Sequence, residues 1–365
     1  MRVVVATVVH HAEDARIYHR QIPALLEEGC SVVYVAPTSN AAALERPGLR
    51  VRPVPRAVGR RRLDALRVAW DVLREESETA DLTVVHDPEL TLLSRRIVGP
   101  ALWDVHEDLP AQISDKAWIP KVLRGSARLV AGVIERRAAS RFALTLAEPA
   151  YADRLGHHPV VRNTPVLPPG LVGSQVRPGG RDRIVYLGRI SAGRGVADLM
   201  EVVERLDDRE PHRRVAMDLV GPVDPEVAGL LRGSSARVHG FLPNPSALEV
   251  VVGARAGLSL LEDRPNYRNS TPTKVLEYLA CGVPVITTPI AEARAVVERS
   301  GAGIVVPFGD PLAVVQAVDA LDDDEIWGEM SAAGRRFVGQ HYAWADDAAR
   351  MVKAYRAASG GEAVR

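Results

Sequence analysis

The chain reads as an α/β protein of two doubly wound parallel sheets. Short valine- and isoleucine-rich runs alternate with amphipathic helical patterns in both halves, the pattern of strands buried on both faces. A stretch rich in proline, glycine and serine, residues 165–181, divides the 365 residues into two parts of domain size. No internal repeat competes with this reading.

In the first half, Arg2 to Val9 is a continuous apolar strand. The turn His10-His11-Ala12-Glu13-Asp14-Ala15-Arg16 leads into a helix from Ile17 to Glu28 that stops at Gly29, and Ser31 to Ala36 is the next strand. The first turn of this β-α-β unit lacks the G-x-G-x-x-G fingerprint, which argues against a dinucleotide cofactor. Val51 to Val54 reads as a strand. Arg60 to Glu78 is a helix with Leu63, Leu66, Trp70 and Leu73 at helical spacing, and its Arg60-Arg61-Arg62 start reads as a solvated face. Two further strands, Leu82 to Val85 and Ala101 to Val105, run into His86-Asp87 and His106-Glu107-Asp108. Ligands of open α/β sheets gather at such carboxyl ends. A helix follows from Lys121 to Arg141, then a strand from Phe142 to Thr145 and a helix from Glu148 to Leu155. The arginine-rich Lys121–Arg141 helix leaves peripheral membrane contact open, because its apolar stretch is too short to span a bilayer.

The second half opens with the strand Arg183 to Leu187. The turn Gly188-Arg189-Ile190-Ser191-Ala192-Gly193-Arg194-Gly195 precedes a helix from Val196 to Leu206. A glycine-rich turn with two arginines before a helix N-terminus suits a diphosphate: backbone N–H groups and fixed cations. Val215 to Val220 is a strand ending at Gly221-Pro222. The strand Ala256 to Leu261 enters a polar loop, Glu262 to Thr271. Asn269, Ser270 and Thr271 then cap a helix with Pro272 in its first position; Gly282 ends it, and Pro284 to Thr288 is a short strand. Lys274 and Glu277 share one helical face. A cation by the anion site and a carboxylate one turn deeper suit a nucleoside diphosphate; an amphipathic helix with a surface ion pair is the alternative. Helices from Pro311 to Leu321 and onward to about Ala358 complete the pattern.

Pro272, Lys274, Glu277, Tyr278, Ala280, Gly282, Pro284, Val285 and Ile286 match P-x-K-x-x-E-Y-x-A-x-G-x-P-V-I, and the stretch resembles the donor-binding segment of glycosyltransferase family 4. Other segments also resemble that family: His10, Asp14, Arg16 and Ile17 as H-x3-D-x-R-I; Asp104, His106, Glu107 and Pro110 as D-x-H-E-x-x-P; and Gly188 to Gly195 as G-R-x-x-x-x-K-G with Arg194 in place of lysine. The resemblance implies a GT-B fold: an acceptor-binding domain over residues 1–168, completed by a last helix over about 344–358, faces across a cleft a donor-binding domain over 182–343. It implies a retaining transferase using a nucleoside-diphosphate sugar as substrate, with no cofactor and no metal; Asp322-Asp323-Asp324 reads as a helix cap. Gly188, Arg189, Arg194, Ser270, Thr271 and Lys274 would hold the diphosphate and Glu277 the ribose. Val238 to Pro243 resembles the family's x-x-G-F-x-P turn, so Gly240, Phe241 and Leu242 would lie by the base, and His10, His11, Asp14 and Arg16 on the cleft and acceptor side. His106, Glu107 and Asn269 are the catalytic candidates. Asn269 stands where many members have the first Glu of an E-x7-E motif, and Glu107, Asp108 and Glu262 are the carboxylates available to replace it.

Net charge of +0 gives no support to a nucleic-acid partner. Cys30 and Cys281 are far apart and outside any C-x-x-C, and Met1-Arg2-Val3-Val4-Val5-Ala6 opens as a strand, not as a signal peptide; both fit a reducing cytoplasm. The expected partners are a nucleotide-sugar donor and a small-molecule, lipid-linked or saccharide acceptor. A nucleotide-sugar epimerase on the same fold would need no acceptor. A periplasmic-type sugar-binding protein fits less well, given the N-terminus and the two-arginine turn.

Overall fold

Alternate residues of a strand point to opposite faces of its sheet, so an unbroken valine run needs a layer of helices on each side. The computed structural model supplies both layers twice. It describes residues 1–59, 62–92, 94–106, 109–110, 124–167, 181–209, 215–264, 267 and 272–360. The chain divides into two units, Met1–Asn163 with Trp344–Arg365, and Thr164–Ala343.

The first unit holds β1 (Arg2–Ala6), β2 (Ser31–Pro37), β3 (Leu49–Val54), β4 (Leu82–Val85), β5 (Ala101–Val105) and β6 (Ala143–Leu146). They form one sheet in the order β3-β2-β1-β4-β5-β6, every pair parallel. Its helices are α1 (Ile22–Glu27), α2 (Arg62–Ser77), α3 (Pro88–Thr91), α4 (Arg124–Ala139) and α5 (Ala152–Leu155). Val3, Val5, Val32 and Tyr34 pack on one face with Ile22 and Leu25. Val4, Val33, Val35 and Trp103 pack on the other with Leu66, Ala69 and Leu73 of α2.

The second unit repeats the plan with β7 (Arg183–Leu187), β8 (Ala216–Val220), β9 (Arg237–Gly240), β10 (Ala256–Ser259), β11 (Val285–Thr287) and β12 (Gly303–Val305). Their order is β12-β11-β10-β7-β8-β9, again all parallel. Its helices are α6 (Val196–Asp207), α7 (Asn244–Val251), α8 (Thr273–Ala280), α9 (Ala291–Ser300), α10 (Pro311–Ala320) and α11 (Asp324–His341). A final helix, α12 (Trp344–Ser359), returns to the first unit, where Met351, Val352, Ala354 and Tyr355 join its core. In both sheets the chain reverses its winding direction beside the first strand, between β1 and β4 and between β7 and β10. Such switch points are where doubly wound sheets bind ligands. Among the described residues, no helix is long and apolar enough to cross a membrane.

Several expectations need correction. β1 stops at Ala6, not Val9, because the Asp87 carboxylate takes the N–H groups of Val8 and Val9 at 2.5 and 3.2 Å. The single helix expected from Ile17 is a wide π-type turn, Ile17–Gln21, followed by α1. Pro23, with no N–H for the i→i−4 ladder, lies where the ladder changes. The stretch Val238–Pro243, expected as a turn, begins within the edge strand β9. Pro272 precedes α8 in an extended conformation instead of filling its first helical position. The expected caps Asn269, Ser270 and Thr271 lie outside the described residues, as do Glu107, Asp108, Lys121 and most of the 165–181 stretch.

Candidate active site

In the second unit the site grows from the end of β7. Gly188 has φ +118°, a region that favours glycine. A Cβ there would lie 3.4 Å from Arg194 Nη1 and 3.5 Å from Lys274 Nζ, so the two cations converge over one glycine. Arg194 ends a 3₁₀ turn, Ala192–Arg194, and Gly195 (φ +77°) closes it into α6. A Cβ on Gly195 would meet the Leu260 carbonyl oxygen at 2.0 Å, so only glycine lets the turn approach the β10 end.

Lys274 is 7% exposed. Its Nζ sits 3.7 Å from the centroid of the Tyr186 ring, a cation–π contact, and it has no hydrogen-bond partner among the described residues. Burial, with the Arg194 charge, holds its pKa well below the ordinary lysine value, and Glu277 offsets part of that. A buried ammonium without a hydrogen bond is costly unless an anion completes the site. The surface-pair reading of Lys274 and Glu277 is thereby excluded: Glu277 is 5% exposed, and its Oε1 accepts a hydrogen bond from Asn244 Nδ2 at 2.9 Å. Tyr278, next along α8, accepts from the Leu187 N–H at 2.7 Å and donates to the Leu258 carbonyl at 3.2 Å. It thus ties α8 to the ends of β7 and β10. Its ring fills the space over Gly257, where a Cβ would lie 2.3 Å away.

Arg189 stands apart from this convergence. Its Nε donates to Asp224 at 2.6 Å, and its side chain is 61% exposed. Gly240 (φ +70°) ends β9. Phe241 after it is exposed, whereas Leu242 packs on the core under α7 and α8.

In the first unit the centre is Asp104, fully buried on β5. Its carboxylate accepts from Arg16 Nε at 2.7 Å, Arg16 Nη2 at 2.8 Å, Gln21 Nε2 at 2.9 Å and Thr145 Oγ1 at 2.8 Å. Burial alone would raise its pKa, but the Arg16 charge and the hydrogen bonds outweigh burial and hold it well below the carboxylate range. Arg16 is therefore a buried counter-ion, 3% exposed, whose Nε and Nη2 are committed to Asp104. Asp14 Oδ1 accepts from the N–H groups of Arg16 and Ile17 at 2.8 and 3.1 Å, which caps the turn. His11 Nδ1 accepts from the Glu13 N–H at 3.1 Å.

His10 and His106 do come together, with Nε2 atoms 3.0 Å apart. His106 Nδ1 lies 3.0 Å from the Asp104 carbonyl oxygen. A carbonyl only accepts, so Nδ1 carries the proton. Between the two Nε2 atoms one nitrogen donates and the other accepts. His10 Nε2 also lies 3.2 Å from Asp87 Oδ1. Asp87 holds the Thr7 hydroxyl at 2.9 Å along with the two N–H groups that end β1, so it fixes the loop that carries His10. His86, Asp104 and His106 offer three ligand atoms within 4.8 Å of one another. The set does not fit a cation, because the Asp104 oxygens already hold Arg16, whose guanidinium would repel one.

Asp104 and Asp87 were marked in the sequence, Asp104 by the D-x-H-E-x-x-P motif and Asp87 by its place at a strand end, but their roles as hub and anchor were not legible there. Asn244 carried no such mark.

Residues 181–324 match the family model for glycosyl transferases group 1. The chain is 25% identical to the D-inositol 3-phosphate glycosyltransferase of Frankia alni over 67% of this chain and 62% of that protein, so it spans less than two thirds of that relative's length. Among solved structures it resembles sucrose-phosphate synthase from Thermosynechococcus elongatus, with TM-score 0.73, 17% identity and 99% of both chains covered. It also resembles Anabaena HepE in complex with UDP and glucose, with TM-score 0.68, 12% identity, 97% of this chain and 98% of that one. The chain therefore has the GT-B fold, and the segment that matches the group 1 glycosyl transferase model spans both Arg194 and Lys274.

Proposed function

We propose that the protein is a retaining, family 4-type glycosyltransferase that moves a sugar from a nucleoside-diphosphate sugar to an acceptor. The observation that carries this reading is the buried Lys274 ammonium, without a hydrogen bond, meeting Arg194 over the open face of Gly188. Two fixed cations and the N-terminus of α8 suit a diphosphate leaving group. Glu277 would receive the ribose hydroxyls, and the Gly240–Leu242 turn would lie by the base. Uracil is the first base to test, because HepE was solved with UDP.

The acceptor hydroxyl would attack the anomeric carbon on the face the diphosphate leaves. The carbon–oxygen bond to the phosphate breaks, its electron pair stays with the phosphate, and that oxygen takes the acceptor proton. Arg194 and Lys274 supply the charge that a metal supplies in other transferases, so turnover would not need one. His106, held at Nδ1 by the Asp104 carbonyl, would exchange its Nε2 contact with His10 for a sugar hydroxyl and so orient it; Glu107 and Asn269 keep their proposed catalytic roles. In the first unit, His10 and His11 would face the acceptor. The Frankia relative's name points to a phosphorylated polyol as one acceptor class. The protein would act in the cytoplasm. The exposed face of α4 would meet an anionic membrane, bringing the enzyme to lipid-linked acceptors.

The test is calorimetric titration with UDP, GDP, TDP, ADP and CMP on wild type, Lys274→Ala and Arg194→Ala. One diphosphate should bind the wild type and weaken at least about tenfold in each variant, the loss of one charge-assisted contact. Product analysis with donor alone and with donor plus acceptor then separates transfer from epimerisation. Binding of none of the five removes the donor-site reading.

A further inference from the structure

Asn244 is the first residue of α7 and follows directly on the Gly240-Phe241-Leu242-Pro243 turn. Its amide reaches α8, thirty-three positions along the chain, and donates from Nδ2 to Glu277 Oε1 at 2.9 Å. The orientation of that amide is set by chemistry: a carboxylate only accepts, so the NH₂ group must face it. Neither partner sits on a loose element. Ala247, Leu248 and Val251 of α7 share one buried cluster with Val275, Leu276, Tyr278 and Leu279 of α8. The contact therefore joins two helices already fixed by packing.

The rotation of a glutamate carboxylate about its last bond is soft. A carboxylate that is to accept two neighbouring hydroxyls must present both oxygens in one plane, and one strong hydrogen bond to Oε1 fixes that plane. We propose that Asn244 is the positioning residue of the ribose site. It holds the Glu277 carboxylate in the rotation that accepts the 2′- and 3′-hydroxyls together, and so makes the protein prefer ribonucleoside diphosphates over their 2′-deoxy counterparts. The inference rests on the reading of Glu277 as the ribose acceptor. It also gives the base-side turn a direct link to the sugar: the chain segment beside the base carries the amide that sets the ribose carboxylate.

The physical basis of the preference is the cost of leaving a buried acceptor unmatched. A site built to hydrogen-bond a hydroxyl rejects the analogue lacking it far more strongly than an apolar site rejects a missing methylene. That rejection is sharp only while the carboxylate cannot turn away. Truncating Asn244 removes this restraint on the rotation, so the carboxylate adapts more readily to a deoxyribose and meets the ribose diol less well.

The experiment titrates wild type, Asn244→Ala and Asn244→Ser with UDP or GDP, whichever the wild type binds, with the matching 2′-deoxynucleoside diphosphate, and with inorganic pyrophosphate. Wild type should prefer the ribonucleotide by about tenfold or more. Both variants should bring that ratio down at least about fivefold, by weakening the ribonucleotide, with pyrophosphate affinity unchanged. A wild type that binds ribo- and deoxyribonucleotide equally overturns the proposal without any variant. So does an unchanged ratio in a folded variant. If the wild type binds neither nucleotide nor pyrophosphate, the donor site itself is misread and the inference falls with it; nucleotide binding with an unaltered ratio removes only the role of Asn244.

Discussion

The surroundings of Lys274 disfavour its charge. Burial and Arg194 both act against its charge, and a bound diphosphate would act for it. Nucleotide binding above the lowered pKa should therefore take up a proton. Calorimetry in buffers of different ionisation enthalpy would detect that uptake, and Lys274→Met should abolish it. The same argument gives a sign for stability. Between the lowered folded value and the ordinary 10.5, the unfolded chain holds more protons than the folded one, so stability climbs with pH across that window. Lys274→Met should flatten the slope and stabilise the fold by on the order of 1 kcal/mol, as apolar replacement of buried charge often does. A lower melting temperature in Lys274→Met would contradict this account. The position was legible in the sequence because the P-x-K-x-x-E spacing marks it. Its burial was not, since periodicity shows which face a residue takes but not what covers that face. Arg16 gave the opposite lesson: its motif was legible, yet its partner Asp104 lies eighty-eight positions away, and nothing in local sequence links the two.

Elements were read best where their cause is local. The alternation of both sheets follows from apolar runs and glycine stops, and those elements stand within a few residues of their expected bounds. The misread ones depend on distant groups, as β1 does on Asp87, or on a lone Pro23 within a helical pattern. α4 is an element whose surface has a direct consequence. Leu129, Val130 and Val133 are 71%, 58% and 54% exposed. Arg128, Arg136 and Arg137 are exposed around them, and the helix's one carboxylate, Glu135, is buried against Arg154. Apolar side chains ringed by cations fit an anionic bilayer. The protein should co-sediment with phosphatidylcholine vesicles containing phosphatidylglycerol and not with pure phosphatidylcholine. Leu129→Ser with Val133→Ser should cut the bound fraction several-fold, since each loses roughly 1 kcal/mol or more of apolar transfer. Equal binding to both vesicle types, or none, rules the membrane face out.

At the scale of the whole molecule, the two units share one plan and separate cores. The last helix ignores the order of the sequence: α12 follows the second unit yet buries Met351 and Tyr355 in the first. Removing residues from Trp344 onward should therefore destabilise the first unit and spare nucleotide binding by the second. Loss of those buried side chains would cost several kcal/mol, at roughly 2–5 each, a large part of a domain's stability. Calorimetric scanning of the truncated chain with and without nucleotide reads both effects. An unshifted first-unit transition would show that α12 is dispensable.

That crossing also has a consequence for how the protein is made. A ribosome releases the first unit's sheet long before it releases the helix that covers it. The nascent chain must hold an unfinished apolar face while the whole of the second unit is translated, and the first unit is completed only after it. A chain broken off early would keep a foldable second domain and an uncovered first one, which chaperones and proteases could recognise.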